Sequence, residues 1–163
     1  MTQPYRIELL GKHDRSAFVS GSNPLDHYLR ELAKQDMRRR VASCFLALDD
    51  AGVIVGFYTI AASSLVLDLL PAEQIKRLPR YPTIPTVLLG RLAVSQAHQG
   101  KRLGGALVAD ALLRATRAEV MAYAMVVDAK DEPAVRFYKH LGFERLGDDG
   151  RRLIRALSVV GIG

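Results

Sequence analysis

The stretch Leu88–Gly105 reads LLGRLAVSQAHQGKRLGG, and its three parts differ sharply in character. Thr86–Val94 is mostly apolar and predicts a buried strand, Ser95–Gly105 is polar and glycine-containing and predicts a loop, and Leu103–Val120 predicts a helix. Glycines let a ligand approach the backbone closely, and the first turn of a helix has N–H groups without intrahelical partners. The stretch therefore predicts a seat for a pyrophosphate or a similar anion.

Two well-known phosphate loops do not account for this stretch. A Walker A loop needs Gly-Lys followed by Ser or Thr, and a dinucleotide-binding turn needs G-x-G-x-x-G; neither pattern is present. Lys101 and Arg102 add full positive charges to the loop. Glycines in a polar loop are also typical of an ordinary surface turn, so the rest of the chain has to decide.

The flanking sequence alternates predicted strands and helices, which indicates a mixed α/β fold. Asn23 is a suitable N-cap and Pro24 suits the first helical position, after which apolar residues recur at helical spacing. Arg80–Pro85 predicts an extended loop and Gly147–Gly150 a turn. The other predicted helices are Pro71–Leu78 and Glu132–Leu141, the second with Gly142 as the residue after its C-cap. The other predicted strands are Tyr5–Leu10, Val41–Leu48, Val53–Leu67, Ala122–Asp128, Phe143–Leu146 and Arg152–Leu157.

Length and composition restrict the class of protein. The 163 residues contain no repeat or long linker, so one domain over 1–163 is expected. There is no apolar run of the length that a membrane span needs, no signal-peptide pattern, and the one cysteine, Cys44, is expected in the core, so a cytoplasmic protein without a metal site is expected. A net charge of +6 favours anionic partners such as cofactor phosphates or nucleic acid.

Two segments together resemble the GNAT superfamily of acetyltransferases. The Leu-Ala-Val strand end followed by Gln99-x-x-x-x-Gly104 resembles the coenzyme A loop of that family, and Ala134–Phe143 ends in FY-x-x-x-GF, which resembles its last motif. The resemblance implies a GNAT fold: a central, twisted, mostly antiparallel sheet with splayed central strands, flanked by helices. It also implies acetyl-CoA as donor. Cofactor-binding residues are then expected at Leu92, Ala93, Val94, Gln99, Gly100, Lys101, Arg102, Leu103, Gly104, Gly105, Asp131, Ala134 and Phe137.

The same resemblance suggests how the reaction would run. A backbone N–H near the end of the strand, that of Val94, would polarise the thioester carbonyl, and Tyr138 would protonate the leaving thiolate as the catalytic acid. No residue stands out as the base, although Asp128, Asp131 and Glu132 are candidates. One departure is Arg102, because the family usually has glycine at that position of the loop.

Three further stretches are similar to the acetyltransferase toxins of type II toxin–antitoxin pairs. They are NPLDHYL from Asn23, LPRYP from Leu78 and LLGRLAV from Leu88. This resemblance implies an aminoacyl-tRNA substrate, a ribbon-helix-helix antitoxin as partner and a homodimer. An α-amine fits, since it titrates near pH 8 and needs less help from a base than a lysine. The candidate tRNA-contacting residues are Arg77, Arg80, Arg91, Arg136 and Lys139, and Arg91, in an apolar strand, is expected to have an anionic partner.

Two other functions remain open at this point. A GNAT enzyme that acetylates a small-molecule amine or a protein N-terminus would share every coenzyme-binding residue. A non-catalytic module that binds coenzyme A or RNA would explain Arg102 as the mark of a degraded site.

Overall fold

The computed structural model describes residues 5–147 and 150–157. In these residues the strands are β1 (Arg6–Leu9), β2 (Ser43–Leu48), β3 (Ile54–Val66), β4 (Thr83–Val94), β5 (Ala124–Asp128), β6 (Glu144–Arg145) and β7 (Arg152–Ala156). The α-helices are α1 (Asn23–His27), α2 (Ala33–Arg38), α3 (Ala72–Ile75), α4 (Leu103–Arg117) and α5 (Glu132–His140). A π-helical segment, Tyr28–Leu32, joins α1 to α2, and short 3₁₀ turns occupy Leu67–Leu69 and Gln96–His98.

The strands hydrogen-bond in the order β1-β2-β3-β4-β5-β7-β6. β1 with β2, β2 with β3, β5 with β7 and β6 with β7 are antiparallel pairs, whereas β4 and β5 are parallel. The ladder between β4 and β5 pairs Thr86–Leu89 with Ala124–Val127, and β4 continues for five residues beyond it. The predicted mixed, mostly antiparallel sheet with helices is confirmed, and the splay of its central strands stays a prediction.

The chain forms two compact units. The first contains Met1–Ala61 and Gly90–Ala111, and the second contains Ala62–Leu89 and Leu112–Gly163. In the first unit α1, the π-helical segment and α2 cover β2 and β3, with Leu29, Leu46 and Phe57 fully buried. In the second unit the core is formed by β4, β5 and β7 with the turn after β3, and it includes Leu67, Ile84, Val126 and Ile154. A single domain over 1–163 stays a prediction.

The first helix begins one residue earlier than predicted. Ser22, not Asn23, is the N-cap: its backbone is extended and its hydroxyl accepts the N–H of Leu25 at 3.4 Å. Pro24 then falls in the first turn, where its missing N–H costs nothing. The π-helical turn holds an additional residue, which turns the predicted apolar face, so that Leu32 is 39% exposed while Leu29 and Ala33 are buried.

β4 also begins earlier than predicted. The predicted loop Arg80–Pro85 is extended only as far as Pro82, and the strand starts at Thr83. Pro85 lies inside this strand, just before the ladder with β5 begins at Thr86, and its carbonyl accepts a hydrogen bond from the N–H of Tyr123 at 2.8 Å. In α5, Gly142 has a φ of 94° after Leu141 at the C-cap, as predicted. The middle of the predicted Gly147–Gly150 turn lies outside the described residues.

Candidate active site

The predicted anion loop lies in the first unit, between the end of β4 and α4. Ala93 and Leu103 are buried at its two ends, which anchors the loop in the core, whereas Lys101 and Arg102 are exposed. Gly100 has a φ of 80° and no heavy atom within 4 Å of where a Cβ would sit, so the chain turns here in open space.

The start of α4 offers unpaired donors to an anion. The first N–H of this helix with an intrahelical acceptor is that of Ala106, which bonds to the carbonyl of Arg102 at 3.3 Å. The N–H groups of Leu103, Gly104 and Gly105 precede it and point out of the helix end by construction. With two exposed cations beside them, these amides suit the pyrophosphate of coenzyme A.

Arg102 departs from the family in residue type but keeps the backbone shape that a glycine would give. Its φ is 64°, in the left-handed region where a side chain costs about 1–2 kcal/mol. The loop thus follows the same path as one with glycine, and the change adds an exposed guanidinium to it.

Gln99 shapes the loop with its side chain. Its amide nitrogen donates to the carbonyl of Ser20 at 2.7 Å and to the carbonyl of Val94 at 3.0 Å, so both N–H bonds of the amide are used. The Gln99 side chain therefore holds the loop in shape and has no N–H bond left for a ligand. Leu92 and Val94 are half-buried on β4, and polarisation of a thioester by the Val94 N–H stays a prediction.

Tyr138, the predicted acid, lies on α5 in the second unit and is 7% exposed. Its ring packs edge-on against Phe137 at 4.9 Å and Phe143 at 5.5 Å between centroids. Among the described residues of its own unit the hydroxyl has no hydrogen-bond partner. Burial raises the pKa of Tyr138 to about 12, so the phenol keeps its proton at neutral pH.

Asp131 and Ala134 form a hydrogen bond with each other at the start of α5. The Asp131 carboxylate is the N-cap of α5 and accepts the N–H of Ala134 at 2.9 Å. This contact explains why α5 starts here. A role of either residue toward the cofactor stays a prediction, as does that of the half-buried Phe137.

The three carboxylates considered as bases are all engaged. Asp128 forms a bidentate pair with Arg152, at 2.8 and 3.0 Å, and this hydrogen bonding lowers the pKa of Asp128. Glu132 bonds to Arg145 and Arg151 and its pKa is likewise lowered, while Asp131 caps its helix. A carboxylate with a lowered pKa is a poor proton acceptor, so Asp128 and Glu132 are poorly suited to be the base, and the carboxylate of Asp131 is already used as a helix cap.

The candidate tRNA-contacting residues lie in different settings. Arg77 pairs with Glu144 at 3.3 Å, whereas Arg80, Arg136 and Lys139 are exposed. Arg91 was expected to have an anionic partner, but the partner that the structure gives it is aromatic: its guanidinium lies 3.7 Å from the centre of the Tyr28 ring. The flat, weakly hydrated guanidinium favours such stacking, and its N–H edge stays available.

Sequence reasoning missed Ser20 and Asp26, which are buried beside the loop in the first unit. Asp26 accepts the N–H and the hydroxyl of Ser20, the latter at 2.6 Å. The signal was the aspartate three residues after the N-cap asparagine that the sequence suggested, a polar residue inside an apolar helix face.

Comparison with known proteins identifies the fold and chemistry together. The sequence profile of the acetyltransferase (GNAT) domain family matches residues 40–145. The chain belongs to the GNAT acetyltransferase family. This GNAT assignment confirms the predicted superfamily and the predicted N-acetyltransferase activity with acetyl-CoA as the family's donor.

Relatives of this GNAT chain are toxins. It is 35% identical over 133 residues to a tRNA-acetylating toxin of Mycobacterium tuberculosis strain H37Rv, covering 80% of this chain and 78% of the relative. A structure of AtaT complexed with acetyl-methionyl-tRNAfMet has a TM-score of 0.84 at 29% identity, covering 93% of this chain and 94% of AtaT. AtaTR bound with AcCoA has a TM-score of 0.80 at 28% identity, covering 94% of each chain. The predicted resemblance to the acetyltransferase toxins is confirmed.

The helices of the described residues are all too short or too polar to cross a membrane.

Proposed function

We propose that this enzyme transfers the acetyl group of acetyl-CoA to the α-amino group of an aminoacyl-tRNA and so blocks translation. The observation that carries the proposal is the 35% identity, over 80% of the chain, to a toxin whose named activity is tRNA acetylation. The AtaT structure with an acetylated methionyl-tRNA, at a TM-score of 0.84, supports the same substrate class.

In this proposal the loop Gln99–Gly105 and the start of α4 bind the coenzyme. Backbone N–H groups of the first helical turn donate to the pyrophosphate, and Lys101 and Arg102 add charge from the exposed side of the loop. Acetyl-CoA, when bound, supplies an acetyl thioester. The end of β4, Leu92–Val94, orients that acetyl group through its backbone.

Tyr138 serves as the proton donor. The amine nitrogen forms a bond to the acetyl carbon, the carbon–sulfur bond breaks, and the sulfur takes the proton of the Tyr138 hydroxyl. The amine releases one proton to solvent, and the Tyr138 phenolate takes one back from solvent, so the tyrosine is restored and no net proton is consumed. The raised pKa of about 12 keeps the phenol protonated over the whole working range, at the cost of a weaker acid. The hydroxyl has no hydrogen-bond partner among the described residues of its unit, which leaves it available to donate.

The three candidate bases bear on which kind of amine accepts the acetyl group. Asp128, Asp131 and Glu132 are all held by hydrogen bonds, so no carboxylate among them is suited to deprotonate the amine. An α-amine is substantially neutral near pH 8 without such help, whereas a lysine amine is almost wholly protonated. This supports an aminoacyl ester over a lysine acceptor.

Phosphate contacts are assigned to the exposed cations. Arg80, Arg136 and Lys139 are exposed, and Arg91 is held flat on Tyr28 with its N–H edge available. Arg77 is partly neutralised by Glu144, so a smaller contribution is assigned to it. Such contacts position an RNA by its backbone without reading its sequence.

The partners follow from the same class of protein. AtaT has been solved with the C-terminus of the antitoxin AtaR and in an AtaT–AtaR complex with DNA. We propose an antitoxin of the ribbon-helix-helix type for this chain, a homodimer as the active form and the cytoplasm, where charged tRNA is found, as the compartment. An acidic antitoxin segment would cover the same cations as the RNA.

The decisive experiment is transfer of labelled acetyl groups to total aminoacylated tRNA. We expect label in the aminoacyl fraction that disappears when the tRNA is deacylated beforehand, because the acceptor is the amino acid. A parallel reaction with small amines and peptide N-termini tests the other enzymatic function. Label in those acceptors and none in charged tRNA would overturn the proposed substrate, and binding of acetyl-CoA without any transfer would support the non-catalytic module.

A further inference from the structure

Asp26 is a buried carboxylate without a function in the mechanism above. It is 3% exposed and lies on α1, where it accepts the N–H of Ser20 at 3.0 Å and the Ser20 hydroxyl at 2.6 Å. The Ser20 hydroxyl in turn accepts the N–H of Ser22 at 3.1 Å. Asp26 therefore fixes the backbone around Ser20 from one side.

The segment Val19–Gly21 also contacts the loop between β4 and α4 (Ser95–Arg102), here called the coenzyme loop, at three points. The carbonyl of Val19 accepts the N–H of Gln96 at 2.8 Å, and the carbonyl of Ser20 accepts the Gln99 side chain at 2.7 Å. Gly21, with a φ of 99°, lets the Gln96 amide pack so closely that a Cβ would lie 3.1 Å from its nitrogen. The loop thus rests on this segment, and the segment rests on Asp26.

We propose that Asp26 is a positioning residue for the coenzyme loop, acting through Ser20 and Gln99. Asp26 holds the Ser20 carbonyl in line with the Gln99 amide, and Gln99, also bonded to the carbonyl of Val94, holds the strand end and the loop at a constant separation. The backbone N–H groups that follow in the loop are then pre-aligned for the pyrophosphate. This inference rests on the proposed binding of acetyl-CoA by Gln99–Gly105.

The test is a double-mutant cycle read out by calorimetry of acetyl-CoA binding. Gln99→Met keeps the length of the side chain and removes both hydrogen bonds, and Asp26→Asn weakens the hold on Ser20 with little change in volume. We expect each to raise the Kd of acetyl-CoA about 10-fold, as loss of an outer support does in other sites. The double variant should be no weaker than the weaker single variant, because both changes interrupt one path.

Asp14→Asn is the matched control. Asp14 is an aspartate that accepts both the N–H and the hydroxyl of a serine, Ser16, at 3.0 and 2.6 Å, but it is exposed. We expect its Kd to equal that of the wild type. At saturating acetyl-CoA the turnover of Asp26→Asn and of Asp14→Asn should stay within about 3-fold of wild type, since neither residue touches a reacting atom or the coenzyme.

Two results would overturn the inference: a folded Asp26→Asn variant with wild-type affinity, or effects on Kd that add fully in the double variant. If Asp26→Asn does not fold, Ser20→Ala, which removes only the hydroxyl in the same path, replaces it in the cycle with the same expectations. Gly104→Asp separates this inference from the proposed loop. If Gly104→Asp leaves acetyl-CoA binding intact, the proposed binding of the coenzyme by Gln99–Gly105 is wrong. If Gly104→Asp abolishes binding while the double-mutant cycle shows no coupling, only the proposed role of Asp26 is wrong.

Discussion

At the scale of single residues, the proposed chemistry depends on Tyr138. Its ring is fixed by Phe137 and Phe143, so removal of the hydroxyl should leave the packing of α5 intact. We expect Tyr138→Phe to bind acetyl-CoA normally and to lose about 10²–10⁴-fold in turnover, the range for loss of a general acid. Stopped assays with charged tRNA, with calorimetry as the control for binding, measure this. Near-normal transfer by the variant would reduce Tyr138 to a packing residue.

The same tyrosine predicts how stability depends on alkaline pH. Burial raises the pKa of Tyr138 to about 12 in the folded state, against about 10 unfolded, so the folded protein holds this proton more tightly. The contribution, about 2–3 kcal/mol, is present below pH 10 and is lost as the pH rises toward 12. Urea unfolding between pH 8 and 11.5 should show a steeper loss for wild type than for Tyr138→Phe. An equal loss of stability with pH in the two proteins would contradict the raised pKa of Tyr138.

Two substitutions of Arg102 separate the effect of backbone strain from that of the side-chain charge. With a φ of 64°, Arg102→Gly relieves a conformation that Arg102→Ala retains, while both variants lose the guanidinium. We expect the glycine variant to be more stable than the alanine variant by about 1 kcal/mol. Both should bind acetyl-CoA about 2–5-fold more weakly at low salt, as loss of an exposed charge contact predicts. Equal unfolding midpoints for the two variants would mean that the loop relaxes around the side chain.

At the scale of elements, α4 is held on the first unit's strands by a close approach at Gly56. A Cβ at this position would lie 3.1 Å from the Ala93 carbonyl oxygen and 3.1 Å from a methyl carbon of Leu107. Gly56→Ala should therefore push the helix away from β3 and destabilise the protein by about 1–3 kcal/mol. Because the coenzyme loop lies between β4 and α4, acetyl-CoA affinity should fall too.

Gly11→Ala is the control for that prediction, since the nearest atom to its Cβ would be 3.8 Å away. Chemical unfolding of both variants gives the comparison. An unchanged midpoint for Gly56→Ala would show that Leu107 can move aside at no cost.

At the scale of the whole molecule, the +6 net charge and the exposed arginines favour a polyanionic substrate. Expression without an antitoxin should stop growth and translation, and Tyr138→Phe at equal abundance should not. Transfer to charged tRNA should weaken steeply as salt rises, because each phosphate contact releases counterions. Harmless expression of a wild type that is active on small amines would favour the other enzymatic function.

Much of this protein could be predicted because its deciding signals are local. A strand, a glycine loop and a helix that follow one another within Leu88–Gly105 depend on neighbours in the sequence, and so do the Asp131 cap and Gly142 at the ends of α5. The order of the elements and the place of Tyr138 on the last helix followed from these patterns, and the family followed from the resemblance of two motifs within them. The net charge of +6 also follows from the sequence alone, and it favours an anionic partner.

Only the tertiary structure decided which polar groups meet. The Gln99 amide finds Ser20 across 79 positions, Asp128 finds Arg152 across 24, and Arg91 lies on Tyr28 where an anion was expected. Hydrogen bonds and ion pairs are short-ranged and directional, so a pairing depends on distances that no spacing in the sequence encodes. The hydrogen bonds between Asp26 and Ser20 are pairings of this kind, and the left-handed backbone of Arg102 likewise follows from the path of the folded loop.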